Sequence, residues 1–168
     1  MNKLHFIIFI FLYIFSFSNC QGKEKMGFAM REQKNLDVAN KIIQCIEEKN
    51  VDGLYMLFSK EVISSQKNLK TDILRLYNFC SGNILEYEKI AMGIDTRIEG
   101  KSNSSEFHTS YKIHIDDTDF IMEYIFIVRD SFDDKDEGIK SLKIIKEIDE
   151  DKYFCYWQDM KPGIFIPE

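Results

Sequence analysis

The hydrophobic pattern of this chain changes its period at Gly82, and the change constrains the fold class. Before Gly82, apolar residues recur at every third or fourth position, as on one face of an α-helix. After Gly82, apolar and polar residues alternate, as along a strand with one buried face. Helices followed by antiparallel strands at hairpin spacing predict an α+β domain, in which the N-terminal helices pack on one face of a curved, mainly antiparallel sheet.

The segment before Gly82 is predicted to contain three helices. The first covers about residues 34–50, where an apolar stripe lies opposite charged side chains. Asp52 is predicted to cap a short second helix. The third helix begins near Leu69 and is stopped by Gly82.

After Gly82 the sequence predicts four strands, at residues 84–94, 107–115, 120–128 and 139–148. The second of these strands carries His108 and His114 on its polar face. Because the two histidines are six positions apart, they lie roughly 20 Å from each other at the rise of a strand. They cannot share a metal ion, and we expect their face to be solvated or to form a homodimer contact.

An acidic loop at residues 130–138 joins the last two predicted strands and carries part of a calcium-binding pattern. Its Gly138 comes one position too early, and Ile145 stands where the pattern needs a bidentate glutamate. We therefore interpret the loop as a solvated hairpin connection. The sequence predicts no metal site and no cofactor.

Residues 1–19 have the features of a secretion signal. Lys3 and the amino terminus form a short positive region, and residues 4–17 form an apolar core. This core is shorter than the roughly 20 residues that a membrane-spanning helix needs. The sequence Phe-Ser-Asn-Cys that ends at Cys20 resembles the lipobox of bacterial lipoproteins, so Cys20 is the predicted lipid attachment site. Cleavage after Ser18 and retention as an uncleaved anchor are the alternatives.

Residues 20–34 are polar and weakly patterned, and we predict that they form a flexible tether. Residues 35–168 then form a single α+β domain. The lipid on Cys20 would hold this domain on the extracytoplasmic face of the cell membrane. The chain has 22 Lys and Arg against 28 Asp and Glu, a net charge of −6, and such a surface repels nucleic acid.

Three cysteines follow the predicted signal, at positions 45, 80 and 155. A disulfide framework normally uses an even number of cysteines. The odd number leaves either three free thiols or one pair and a leftover. Because free cysteine packs as a small hydrophobic residue, we favour free, buried thiols.

Two short motifs resemble a known family. The sequence Leu57-Phe58-Ser59 after the second predicted helix, and the run WQDMKPGIFIPE at residues 157–168, are similar to those of lipoproteins of low-GC Gram-positive bacteria grouped as domain-of-unknown-function family 5104. The resemblance covers roughly residues 35–168. It implies a nuclear-transport-factor-2-like (cystatin-like) cone, in which a curved sheet wraps a long helix. It implies a membrane location and no activity.

Cone folds of this kind host isomerases and hydrolases that use an acidic or histidine base in an apolar pocket. The catalytic candidates here are Asp159, close to Trp157, and Glu123, on an otherwise apolar strand. We favour the alternatives, in which Asp159 caps a turn and Glu123 lies at a sheet edge or interface. Tyr111, Tyr124 and Trp157 are predicted to line a pocket, unless the C-terminal aromatic residues belong to the core.

We expect a non-catalytic role, in which the domain binds a small apolar ligand or another protein outside the membrane. A toxin-neutralising immunity protein and a pocket isomerase or hydrolase with a buried carboxylate are the alternatives. An open aromatic pocket with few polar groups would favour a ligand. An exposed acidic patch over a filled cone would favour a protein partner. A deep carboxylate or histidine with a second polar group in reach would favour an enzyme.

Overall fold

The computed structural model describes residues 27–99, 102–129 and 137–167, in which helices precede strands as the change of period predicts. The chain divides into two units, Met1–Asp37 and Val38–Glu168. In the first unit, the described residues form the beginning of helix α1, which covers 27–47. Residues 27–34 are therefore helical where the sequence predicts a tether, because they consist mostly of good helix formers. The predicted signal peptide and Cys20 lie outside the described residues.

The next three helices are α2 at Val51–Leu57, α3 at Lys60–Ser65 and α4 at Leu69–Phe79. The prediction that Asp52 caps α2 is wrong: the cap is Asn50, whose Oδ1 accepts a hydrogen bond from the Gly53 N–H at 2.8 Å. Asp52 lies in the first turn, where its charge suits the helix dipole. Helix α3 was not predicted, because six residues are too few to establish a helical period. None of the described helices combines the length and hydropathy needed to cross a membrane.

The strands form one sheet in the order β1-β2-β3-β4-β5. Their bounds are Ile84–Glu99, Ser102–Ile115, Thr118–Arg129, Gly138–Lys146 and Gly163–Phe165. The first four pair antiparallel with their neighbours, and β5 pairs parallel with β4. The α+β class with a mostly antiparallel open sheet is therefore confirmed. Strand β5 was not predicted, because three residues are too few to show an alternation of apolar and polar side chains.

The helices pack on one face of this sheet and bury most of the apolar residues that the two periods predict. Residues with essentially no exposed surface come from both layers of this core: Ile42, Leu54, Leu69, Ile73, Leu76, Phe107, Ile113, Met122, Tyr124, Ile139 and Leu142. Burial of such side chains contributes about 1.5–3 kcal/mol each before the entropic costs of ordering them.

The opposite face of the sheet, called the second face below, is also largely buried. It carries the alternate residues of β2, β3 and β4, including His108, whose exposed fraction is only 4%. The expectation of a solvated or dimer-facing surface is wrong for His108, because the C-terminal segment, residues 147–165, lies over this part of the face. Lys143 Nζ donates to the carbonyl of Tyr153 at 3.3 Å, and Ser141 Oγ donates to the carbonyl of Lys161 at 2.8 Å.

The C-terminal segment consists of short elements. A 3-10 helix at Glu147–Asp149 follows β4 directly, so the strand ends two residues before its predicted limit. Helix α5 at Glu150–Tyr153 and a second 3-10 helix at Trp157–Asp159 come next, before β5. These turns allow the chain to cross the second face and return to the edge of β4.

The two sides of α4 allow a matched test of the helix-face core. Leu76 is fully buried, whereas Leu74 on the same helix is 52% exposed. We expect Leu76→Ala to lower the free energy of unfolding by about 2–5 kcal/mol, because it leaves a cavity in the core. Leu74→Ala should cost less than about 1 kcal/mol. Urea unfolding followed by circular dichroism measures both, and equal losses would contradict the described packing.

Candidate functional site

A cavity of about 380 Å³ opens on the second face, and it is called the sheet cavity below. Its volume is within the range of small-molecule sites, about 300–1,000 Å³. Strands β1 to β3 form its floor, and residues of the C-terminal segment form its other walls. The lining residues are Ile90, Ala91, Asp95, His108, Ser110, Ile121, Glu123, Glu150, Phe154, Cys155, Tyr156, Trp157 and Gln158.

The register of the sheet explains why polar groups meet in this place. Ser110 of β2 is directly opposite Glu123 of β3, and Glu123 is opposite Lys143 of β4. The three residues form one row across the second face, because directly opposite residues in a sheet point to the same side. His108 is two positions from Ser110 on β2 and therefore lies on the same face.

Glu123 and Lys143 form an ion pair that is nearly closed to solvent. Lys143 Nζ contacts Glu123 Oε2. The side chain of Lys143 is 4% exposed, and that of Glu123 is 15% exposed. Lys143 Nζ also lies 3.7 Å from the Cys155 sulfur, in addition to its bond to the Tyr153 carbonyl. One ammonium group thus links β3, β4 and the C-terminal segment.

His108 is buried beneath the only tryptophan of the chain, Trp157. The two rings stack with centroids 5.1 Å apart and planes tilted by 32°. The Nε2 of His108 lies 3.2 Å from Asp95 Oδ2, at the solvent-exposed end of the cavity. Neither ring nitrogen makes a hydrogen bond within the described residues. The Asp95 carboxylate is the polar neighbour of Nε2, and such a neighbour offsets part of the loss of water that burial imposes on a polar atom.

Gly93 makes the stacking of Trp157 geometrically feasible. Gly93 of β1 is paired with His108 of β2. A Cβ atom at this position would stand 2.7 Å from a carbon of the Trp157 ring. The missing side chain leaves the space against β1 that the indole occupies.

A second group of charges lies at the hairpin end of the same face. Lys112 Nζ contacts Asp119 Oδ2 and Glu147 Oε1 at 3.0 Å each, and His114 Nδ1 lies 2.6 Å from Asp119 Oδ1. The hydrogen bond from Lys112, together with that from His114, holds the pKa of Asp119 below its usual value. Because Glu147 begins the C-terminal segment, these contacts tie the segment to β2 and β3.

The residues predicted for the site are distributed over several parts of the structure. Glu123 and Trp157 both line the sheet cavity. Asp159 is exposed in the second 3-10 helix and is not among the lining residues. Tyr111 and Tyr124 lie on the opposite side of the sheet, buried in the core with the helices.

Three residues of the site were not singled out from the sequence: His108 as a cavity residue, Lys143 and Cys155. Counting outward from the hairpin turn at Asp116–Asp117 could have aligned Ser110 with Glu123. The same count does not reach Lys143, which pairs with Glu123 across the β3–β4 hairpin, where the register shifts between Ile125 and Phe126. His108 and Cys155 depend on the course of the C-terminal segment, which no local pattern specifies.

The described cysteines are all free thiols, with Cys45 and Cys80 buried in the core and Cys155 partly exposed. Within the described ranges, no three His, Cys, Asp or Glu side chains converge as they would around a metal ion. Most of the acidic loop, residues 130–136, lies outside those ranges.

The chain matches one family model, described as "Domain of unknown function (DUF5104)", over residues 41–147. This match extends from α1 to the end of β4 and includes Ser110, Glu123 and Lys143. No curated protein matches the chain. Since the family model covers more than half of its length, the chain belongs to the DUF5104 family.

Proposed function

We propose that this protein is a lipid-anchored, extracytoplasmic binding protein that holds a small, largely apolar ligand in the sheet cavity. The observation that carries the binding role is the cavity itself, which has a volume of about 380 Å³ and mainly apolar walls.

The walls of the cavity support an apolar ligand body. Trp157, Phe154 and Tyr156 contribute aromatic surface, and Ile90 and Ile121 contribute aliphatic surface. Phe154 and Tyr156 are more than half exposed and pack edge to face, with ring centroids 5.4 Å apart. Small-molecule sites are typically apolar clefts with a few placed polar groups, and this cavity fits that description.

A pocket enzyme is the second candidate, because Glu123 lines the cavity. A general base needs an accessible carboxylate within reach of the proton that it removes. The Lys143 ammonium occupies an oxygen of this carboxylate. The pair therefore favours a structural role for Glu123, and binding remains the proposal.

The proposed location, on the extracytoplasmic face of the membrane, rests on the N-terminal sequence. The apolar core of residues 4–17 followed by Cys20 supports a lipoprotein signal, and the acidic balance of the chain is compatible with a surface exposed to solvent.

We also propose kinship with the nuclear-transport-factor-2-like cone. The order of helices followed by an antiparallel sheet supports this kinship, although the cavity lies on the sheet face away from the helices.

The binding proposal is testable because Trp157 is the only tryptophan. Titration of the full chain in liposomes with 4-nitroaniline, a small aromatic quencher, should quench the tryptophan fluorescence along a saturable curve. Ser110→Phe fills the cavity floor and should abolish saturation. Ser64→Phe makes the same change on the exposed side of α3 and should leave the curve unchanged. Linear quenching, or saturation that survives Ser110→Phe, would refute binding in this cavity.

The anchor has an independent test. Cells that express the chain should incorporate radiolabelled fatty acid into it. The label should stay on the protein during denaturing electrophoresis, because the lipid is attached covalently. Cys20→Ala should abolish the label, whereas Cys155→Ala should retain it. Persistence of the label in Cys20→Ala, or a wild-type chain that never labels, would exclude the lipoprotein assignment.

A further inference from the structure

The aromatic wall of the sheet cavity comes from one short stretch of the C-terminal segment. Phe154, Tyr156 and Trp157 all line the cavity. Phe154 and Tyr156 are more than half exposed, so their rings are accessible to a ligand. Because the face of an aromatic ring carries partial negative charge, a group of such rings attracts an organic cation.

The charges around the cavity have the same preference. The described lining residues include three carboxylates, those of Asp95, Glu123 and Glu150, and one basic side chain, the imidazole of His108. Lys143 neutralises Glu123. Glu150 is exposed, and its carboxylate has no ion-pair partner within the described residues. The lining therefore keeps a net negative charge in either protonation state of His108.

The strand lysines near the cavity do not offset this charge. Those that lie on the second face each contact a carboxylate within the described residues. The pairs are Lys112 with Asp119 and Glu147, Lys140 with Glu106, and Lys143 with Glu123. An anionic ligand would have to break one of these pairs to gain a counter-charge from a strand, whereas a cation leaves all of them intact.

We propose that the ligand of the sheet cavity is a small organic cation, a protonated amine or quaternary ammonium with an apolar body. The aromatic wall and the carboxylates of Asp95 and Glu150 attract its charged head, and Ile90 and Ile121 contact its body. A free cation suits the cavity better than a choline-type lipid headgroup, whose phosphate would approach the same carboxylates. This inference rests on the proposed binding function of the cavity.

The test compares two related quenchers of Trp157. 4-Nitroaniline is neutral, whereas its trimethylated derivative, N,N,N-trimethyl-4-nitroanilinium, carries a permanent positive charge. Each is titrated into the full chain in uncharged dodecyl maltoside micelles. We expect both curves to saturate, with half-saturation by the cation at a concentration about tenfold lower. Equal half-saturation concentrations, or saturation by the cation that survives Ser110→Phe, would overturn the proposal.

Charge-removing variants test which residues attract the cation. Asp95→Asn together with Glu150→Gln should raise its half-saturation concentration about tenfold and leave that of 4-nitroaniline unchanged. A structural disturbance would shift both quenchers. Glu61→Gln together with Asp117→Asn removes the same charge at exposed positions outside the cavity and should alter neither curve. An equal effect of the two double variants on the cation would contradict recognition by the cavity carboxylates.

The source of the cation is tested by competition. Choline should displace the cationic quencher and restore the fluorescence of Trp157. Phosphorylcholine, which has the same ammonium head beside a phosphate, should not do so at an equal concentration. Equal displacement by the two compounds would indicate a lipid headgroup and would overturn the assignment to a free cation.

The two quenchers also separate this inference from the binding function on which it rests. Saturation by 4-nitroaniline without tighter binding of its cation would overturn the cationic ligand and leave the binding function intact. If neither quencher saturates, the binding function fails, and the cationic ligand fails with it.

Discussion

The second face of the sheet is organised around the ion pair of Glu123 and Lys143. Two charged side chains in a mostly buried surface are stable only when each has its counter-charge and its remaining polar groups have partners. Lys143 obtains these partners from three parts of the chain: the carboxylate of β3, the Tyr153 carbonyl and the Cys155 sulfur. The C-terminal segment that supplies the last two also brings Trp157 over His108 and so forms the walls of the cavity.

The two faces of the sheet consequently have different roles. The face toward the helices is filled by large apolar side chains and supplies most of the hydrophobic stabilisation. The second face is covered by a segment of short turns, which cannot fill the space as regular helices do. Gly93 leaves room for the indole, and the charges at Lys112 and Glu147 attach the start of the segment. A cavity with both apolar and polar walls results from this arrangement.

The fold class could be predicted from the sequence because periodicity is a local signal. Helix α4 and the long strands each contain enough residues to show their period, and Gly82 has a positive φ of 144° at the boundary between them. Helix α3 and strand β5 are too short for such a signal. The cap of α2 was misplaced because Asn50 and Asp52 are both good capping residues, and only the backbone geometry distinguishes them.

The site was only partly predictable, for a physical reason. Glu123 and Trp157 stand out locally, as a charge in an apolar strand and as the only tryptophan. Tyr111 and Tyr124 were expected to line a pocket, but strand alternation directs them to the core between the sheet and the helices. His108, Lys143 and Cys155 come together through strand register and through the path of the C-terminal segment. Both are tertiary properties without a sequence period.

The most direct test of this account is a double-mutant cycle on the pair, with Glu123→Gln, Lys143→Met and both together, measured by urea unfolding of the full chain. A buried, mutually dependent pair predicts that each single substitution costs about 3–5 kcal/mol, because it leaves one buried charge unpaired. The double substitution should cost much less than the sum of the two. Additive losses, within about 0.5 kcal/mol, would show that the two charges do not depend on each other and would contradict the account.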